Sequence, residues 1–374
     1  MTVSSPHAPE QSDAATPLEL FFDLVFVFAV SQLSDHLLAD LSWHGIAETL
    51  VLLRAVYGVW YATSWVATMV PADEPPTRRM LLTVMPLGLF MNAALTGAFT
   101  ASAWAFVAPY LLIQLGRTVW TVVYAPNALF RAHFFRALLW FVAISPFWIM
   151  GAVADPDTRL LWWALAAGID QVGAWLAHPM PGRWLHSEHV PFASGHMLER
   201  CRLFLLIALG ETVLTTGVAI AAVPLTPMIV VTGTVALVGA VALWNLGFGR
   251  TGRLTLRYVE TTSDPVRASR YAVGVLMVMV AGLIAVAVAN EEAIGRPLES
   301  GSVILNALMY GGPLLYVLAQ AWYFRVMLQT HPRLRVIGAA VLIVLGISTV
   351  AAPRAVALAV ATATLATMAV LDQE

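Results

Sequence analysis

The sequence predicts an all-α protein, a polytopic bundle of about 12 transmembrane helices (roughly 10–12). Its 374 residues are 59% hydrophobic and only 11% charged, whereas a soluble domain is typically about a quarter charged. The apolar residues fall into stretches near the ~20 residues that a helix needs to cross a bilayer. The net charge of −2 gives no basic surface for nucleic acid, so we expect the lipid bilayer to be its main partner.

Short stretches rich in Pro, Gly, Asp and Arg divide the chain into apolar segments. These segments lie near 17–38, 45–70, 80–99, 103–125, 134–153, 159–177, 195–222, 226–248, 269–290, 302–328, 334–352 and 354–371. We expect a single transmembrane domain over 16–371. The polar, Pro- and Ser-rich residues 1–15 before it predict a disordered tail.

The Arg residues predict the orientation, because cytoplasmic loops of membrane proteins carry an excess of basic residues. With the N-terminus inside, the outside loops hold only Arg159, Arg296 and Arg354. The inside loops and flanks hold Arg78, Arg79, Arg131, Arg136, Arg183, Arg250, Arg253, Arg257, Arg267, Arg270, Arg325, Arg333 and Arg335. This bias predicts an even number of spans with both termini cytoplasmic, and a short surface helix within the polar connection 249–270.

The first segment opens with a helix-start signal and carries two acids. Thr16 is placed to cap the helix, Pro17 suits its first turn and Glu19 completes a capping box. Asp23 follows Glu19 by four residues, so both carboxylates share one helix face. Acids within a span are costly and mark functional sites by default.

Segment seven is the second stretch with embedded charges. His196, Glu199 and Arg200 mark its predicted cytoplasmic end. Glu211 lies about 18 Å beyond Glu199 at 1.5 Å per residue, which places it past the middle of the membrane.

Segments one and seven also match each other weakly. A shift of 180 residues places Glu199 on Glu19, and apolar positions then coincide as far as Leu214 on Ser34. This match predicts two halves, 16–178 and 194–371, related as a parallel repeat.

The stretches ELFFDLVFVFAVSQL at 19–33 and GHMLERCRLFLLIALGETVLTTG at 195–217 together resemble the low temperature requirement A (LtrA) family of bacterial membrane proteins. Segment order and length agree over nearly the whole chain. The family's motif positions fall on Glu19, Phe22, Asp23, Gly195, His196, Glu199, Arg200, Gly210 and Glu211. Asp170 resembles the family's acidic position in segment six, and Arg117 its basic position in segment four.

The chain also departs from this family pattern. Segment eight ends in LWNLGFGR, without the family's aromatic pair and acid, and segment nine begins SRYAVGVLM, without its His. The family is named after a growth phenotype. The resemblance therefore implies a divergent member in the bacterial plasma membrane, as a multi-pass protein, and not a particular reaction.

On the predicted topology, the embedded charges gather in the core and the inner half of the membrane. Carboxyl groups in such surroundings can exchange protons near neutral pH. We therefore expect a proton-linked transporter or permease. Its proton-relay or substrate-contact residues would be Asp23, Asp170 and Glu211, with Arg117 as a movable counter-charge and Glu211 as the leading candidate. Five further residues would support this site: Glu19, His196, Glu199, Arg200 and Arg54.

Two alternatives stay open. An intramembrane enzyme acting on a lipid or isoprenoid would use an Asp or Glu as its general acid. A non-catalytic membrane scaffold would instead pair each acid directly with an Arg. An enzyme is the less favoured alternative, because the chain contains no GxSxG, P-loop or paired DDxxD motif.

We expect no metal and no cofactor. His186, His189, His196 and Glu199 follow no standard zinc spacing. The single Cys201 excludes an internal disulfide and any multi-Cys metal site. The sequence leaves open whether the substrate is a small molecule, an ion or a lipid, and whether the protein forms a homo-oligomer.

Overall fold

A computed structural model describes residues 14–373, except 71, 73, 180–192, 250–263 and 328. Within these residues the chain forms long α-helices and no strand beyond one isolated bridge between Ser300 and Pro353. The helices are α1 Pro17–Ala39, α2 Trp43–Met69, α3 Pro75–Ala93, α4 Ala103–Tyr124, α5 Ala128–Val153, α6 Pro156–Trp175, α7 Ser194–Ala221, α8 Pro227–Phe248, α9 Pro265–Gly295, α10 Val303–Val326, α11 Arg333–Ser348 and α12 Arg354–Leu371. Each predicted segment coincides with one of them, which confirms the all-α prediction.

Local sequence signals set where many of these helices begin. The predicted capping box of α1 is present: the Thr16 hydroxyl accepts from the Glu19 amide at 3.3 Å, and Glu19 Oε2 accepts from the Thr16 amide at 2.9 Å. Ser and Thr side chains likewise cap α2, α8 and α10. These caps satisfy amides that have no partner within the helix.

Nine of the described helices are long and apolar enough to cross a membrane: α1, α2, α4, α5, α7, α8, α9, α10 and α12. The chain is thus a multi-pass membrane protein. Helix α11 has 16 residues, about 24 Å at 1.5 Å per residue, which is short of the ~30 Å hydrocarbon core. Twelve spans and cytoplasmic termini stay predictions.

Helix α9 lies at the centre of the bundle. It packs against α1, α2, α7, α8, α10 and α12, and 78% of its most apolar stretch is buried. Gly282 of α9 and Gly312 of α10 let the two backbones meet, because a Cβ added at Gly282 would reach the Gly312 carbonyl at 2.6 Å. This close approach holds the second half of the chain around α9.

The two halves of the chain share one pattern of helix neighbours. Helix α1 packs on α2 and α3, the chain continues α3–α4–α5–α6, and α6 returns to α2. Helix α7 packs on α8 and α9, the chain continues α9–α10–α11–α12, and α12 returns to α8. Helices α1 and α7 also begin at the same end of the bundle, because Glu19 and His196 are in contact. We propose on this ground that 16–178 and 194–371 are parallel repeats.

Three predictions concern residues that the structure does not describe. They are most of the tail 1–15, the surface helix predicted within 249–270, of which 250–263 are not described, and the region of His186 and His189.

Candidate functional site

Two acids of α1 face a His and an Arg of α7. Glu19 and Asp23 are four residues apart, and so are His196 and Arg200. Because residues four apart share a helix face, each helix presents its pair to the other. We call these four residues the α1–α7 cluster.

Arg200 joins both carboxylates of the cluster. Its Nη2 lies 2.5 Å from Asp23 Oδ1 and its Nη1 lies 3.4 Å from Glu19 Oε1. Trp60 of α2 donates from its indole Nε1 to the same Asp23 oxygen at 2.7 Å. The side chains of Glu19 and Arg200 are fully buried, as is Asp23. The second Asp23 oxygen, Oδ2, has no hydrogen-bond partner among the described residues.

The charges of the cluster balance only when it holds one extra proton. Two ionised carboxylates and one guanidinium leave a net charge of −1, and an uncompensated charge in a buried site is strongly destabilising. One proton, on His196 or on a carboxyl group, makes the cluster neutral. The cluster therefore has the composition of a one-proton site.

His196 connects the cluster to α2. The Thr68 hydroxyl donates to the Ser64 carbonyl at 2.9 Å, and its oxygen lies 3.3 Å from His196 Nδ1. The other ring nitrogen, Nε2, lies 3.2 Å from Glu19 Oε2. A neutral imidazole has one N–H group, so His196 can donate either to Glu19 or to Thr68, and an added proton lets it donate to both. His196 is also the most accessible member, with 12% of its side chain exposed.

A separate ion pair joins α2 and α6. Arg54 Nη2 lies 2.7 Å from Asp170 Oδ2, and 12% and 7% of the two side chains are exposed. Asp170 and Asp23 thus have different Arg partners, and Arg117 is the partner of neither.

Arg117 of α4 is buried, and its hydrogen-bond partners are neutral groups. Its Nη2 donates to Gln114 Oε1 at 2.6 Å, and its Nη1 lies 3.3 Å from the Thr63 hydroxyl and 3.4 Å from the Val59 carbonyl. Its guanidinium lies 5.7 Å from the centre of the Phe141 ring. No described carboxylate lies within ion-pair distance of it.

Arg117 lines a cavity of about 90 Å³, which we call the main cavity. The lining residues come from the ends of α2, α4 and α6 and the starts of α5 and α9, so the cavity lies toward the end of the bundle where α1 and α7 begin. Its polar lining residues are Tyr61, Arg117, Thr118, His133, His178 and Arg270, and the rest of the lining is mostly aromatic or aliphatic. A neighbouring cavity of about 40 Å³ shares Tyr61, Ala174 and Arg270 and reaches Arg54.

The charged residues that line the main cavity are basic, because Arg117 and Arg270 are present and no described acid is. His178 follows α6, and burial lowers its pKa to about 4, with further lowering by Arg136, Arg117 and Arg54. Its backbone, like that of Ala177, has a positive φ (54° and 55°), a conformation that costs a non-glycine residue about 1–2 kcal/mol. The chain thus accepts local strain where it positions His178 at the cavity.

The remaining predicted residues lie apart from these sites. Glu199 pairs with Arg202 at 3.0 Å at the partly exposed start of α7. Glu211 is half-buried, lines neither cavity and forms no hydrogen bond or ion pair with a described residue. It lies about 16 Å along α7 from Arg200, at 1.5 Å per residue.

Sequence reasoning missed a second buried acid–histidine group, at the opposite end of the bundle. Glu48 of α2 contacts His36 and His44, each at 3.1 Å, and His36 also lies 3.4 Å from the Thr96 carbonyl. The four-residue spacing of His44 and Glu48 was a usable signal for their pairing. The contact with His36 depends on how α1 and α2 pack, which no spacing reveals. Trp60, Thr63 and Arg270 were missed for the same reason.

Comparisons with known proteins agree with these observations. The family model described as bacterial low temperature requirement A protein (LtrA) matches residues 14–370. An uncharacterised protein of Rhizobium meliloti (strain 1021) is 31% identical over 344 residues, which cover 89% of this chain and 82% of that protein. No solved structure matches the chain at a significant level. Because the family model spans nearly every described residue, this membrane protein belongs to the LtrA family.

Proposed function

We propose that this LtrA protein is a proton-linked permease of the bacterial plasma membrane. The observation that carries the proposal is the main cavity, which contains a buried Arg117 with no described carboxylate within ion-pair distance. A cavity with a charged group between membrane helices is the usual setting of a transport site. The cavity would hold the solute, and the α1–α7 cluster would hold the coupled proton.

We place the coupled proton on the α1–α7 cluster because of its charge balance. Glu19, Asp23 and Arg200 together need one proton to be neutral, and His196 connects them to the less buried end of the cluster. Proton release would leave a net negative charge in a buried place, which favours a rearrangement of α1 against α7. Such a rearrangement is the coupling that a proton-linked carrier requires.

The link between proton and solute would run through α2. Trp60 contacts Asp23 in the cluster, and Thr63 contacts Arg117 at the main cavity. A shift of Asp23 would therefore move the helix that also holds the cavity wall.

The alternatives fit the same contacts less well. An intramembrane enzyme with a carboxylic general acid needs that acid in its pocket, and the described lining of both cavities contains no Asp or Glu. A scaffold fits the direct pairs of Asp23 and Asp170 with Arg, but it gives no reason for a cavity around Arg117. Glu211 stays a candidate proton-relay residue, and the weaker one, because it has no charged partner among the described residues.

Proton flux in liposomes tests the proposal. The full chain is reconstituted with an internal pH dye, and small cationic, neutral and anionic solutes are added outside in turn. We expect at least one class to change the internal pH faster than in protein-free liposomes, and Asp23→Asn and His196→Gln to abolish the change. Glu299→Gln is the control and should retain it, because this half-exposed carboxylate pairs with Arg296 and Arg354 and lines neither cavity.

Two results would contradict the proposal. Rates equal to those of protein-free liposomes for every solute class would argue against transport. Normal flux in Asp23→Asn together with lost flux in Glu211→Gln would move the proton site from the cluster to Glu211.

A further inference from the structure

We propose that the main cavity binds a small organic anion, a carboxylate with an apolar body held against Arg117 and Arg270. Binding follows from the cavity alone. The statement that the bound anion is carried across the membrane rests on the proposed function.

The charge of the cavity requires an anionic ligand. Arg117 is 4% exposed and Arg270 donates to the Trp175 carbonyl at 3.1 Å, and neither has a described carboxylate within ion-pair distance. The lining also contains His133 and His178 and no described acid. A buried guanidinium without an anion is costly, and a planar carboxylate is the group whose geometry it matches best.

The rest of the lining requires an apolar body on that anion. Bulky apolar side chains form most of the wall: Trp65, Met69, Leu129, Phe130, Phe134 and Phe141. A fully hydrated anion such as inorganic phosphate would lose its water against these side chains without replacement hydrogen bonds. A carboxylate with an aromatic or short aliphatic body would bury its apolar surface there instead.

The volume and position of the cavity fit such a ligand. About 90 Å³ is several times the roughly 10–15 Å³ that one water molecule needs by the same kind of measure. The lining comes from the ends of five helices on one side of the bundle, so a ligand can reach Arg117 from that side without crossing the core.

The stoichiometry of the proposed coupling agrees with this ligand. One proton on the α1–α7 cluster and one monocarboxylate in the cavity together carry no net charge. If the proposed function holds, the two would cross the membrane as an electroneutral pair, which avoids the cost of moving a net charge through the bilayer.

Binding of benzoate by the purified full chain in a neutral detergent tests the inference. Equilibrium dialysis at pH 7 with labelled benzoate gives the affinity, and benzamide, of the same shape without charge, is the ligand control. We expect saturable benzoate binding that benzamide and inorganic phosphate do not displace. Arg117→Gln should weaken it by about tenfold or more, the usual effect of removing a charge-assisted hydrogen bond.

Arg202→Gln is the matched control variant. Arg202 lies near the start of α7, at the same end of the bundle, and lines neither cavity. We expect its affinity to stay within about twofold of the parent value. If Arg117→Gln does not fold, Arg270→Gln replaces it, because Arg270 lies at the partly exposed edge of the cavity, and it should also weaken binding.

The outcomes separate this inference from the proposed function. Any of three results would overturn the inference and leave the proton-flux assay valid. These are the absence of saturable benzoate binding, equal displacement by benzamide or phosphate, and unchanged affinity in both Arg117→Gln and Arg270→Gln. Benzoate binding that depends on Arg117, in a protein without proton flux, would uphold the inference and contradict the permease.

Discussion

Trp60 and Thr63 lie one turn apart on α2 and contact different charged side chains. The Trp60 indole donates to Asp23 at 2.7 Å, and the Thr63 hydroxyl lies 3.3 Å from Arg117 Nη1. Residues three apart are neighbours on a helix surface. One turn of α2 thus connects the α1–α7 cluster with Arg117 of the main cavity.

Trp60→Phe should weaken the cluster by removing the indole donor, while a large aromatic ring still fills the core. In Trp60→Phe, Asp23 keeps Arg200 but loses one of the two hydrogen bonds to Oδ1. We expect a loss of about 1–3 kcal/mol, the usual cost when a buried charged group loses a partner, together with slower proton flux. Thermal unfolding in detergent measures the first effect and the dye assay the second.

Trp43→Phe is the control for that substitution, because Trp43 is 61% exposed. It should leave the unfolding temperature and the flux unchanged. Equal losses in the two variants would mean that the hydrogen bond to Asp23 has no special weight.

Substitution of Arg200 should lower the free energy of unfolding more than substitution of any other residue of the cluster. Arg200→Gln leaves Glu19 and Asp23 buried together without a cation, and removal of one member of a buried ion pair costs about 3–5 kcal/mol. Asp23→Asn should recover part of this loss in the double variant, because it removes the charge left unpaired. A double-mutant cycle of unfolding free energies measures the coupling, and additive losses would argue against the observed contact.

The titration of His178 should make the stability of the protein depend on pH. Burial and the neighbouring Arg residues lower its folded pKa to about 4, below the ~6.5 of an unfolded His. Between these two values the unfolded chain binds a proton that the folded chain does not, so stability falls as the pH falls through this window. The unfolding temperature should therefore drop less between pH 7.5 and pH 4.5 in His178→Gln than in the parent protein. Differential scanning fluorimetry measures this drop.

An exposed histidine provides the control for His178. His331 lies in the exposed connection between α10 and α11, so His331→Gln should follow the parent curve. A parent curve that coincides with that of His178→Gln would show that His178 does not control the acid sensitivity.

Much of this fold could be predicted from the sequence, because its signals are local. Pro17 and Thr16 mark the start of α1 through chemistry within one turn. The four-residue spacing of Glu19 and Asp23 likewise predicts that they share one helix face, without any knowledge of the neighbouring helices.

The pairing of charges could not be predicted, because it depends on how each helix is rotated in the bundle. Asp23 and Asp170 both lie within apolar segments of the sequence, yet one meets Arg200 and the other meets Arg54. Depth along α7 makes Glu211 the leading proton-relay candidate from the sequence, but depth does not determine which neighbours surround a side chain. The main cavity depends on side chains from five helices, and no single stretch of sequence carries its outline.

A glycine on α2 offers a test of the Arg54–Asp170 pair. A Cβ at Gly58 would overlap Arg54 Nη1 and come within 3.6 Å of Asp170 Oδ2. In Gly58→Ala the guanidinium must therefore move away from its present place beside Asp170. We expect a lower unfolding temperature and altered benzoate binding, because Arg54 lines the smaller cavity next to the main one.

The matched control is Gly116→Ala on α4, where an added Cβ has no atom within 4 Å. Ala favours a helix over Gly by about 1 kcal/mol, so this control should be as stable as the parent or more so. Equal stability and equal binding in both variants would show that the ion pair tolerates displacement, and that neither the bundle nor the cavity depends on its geometry.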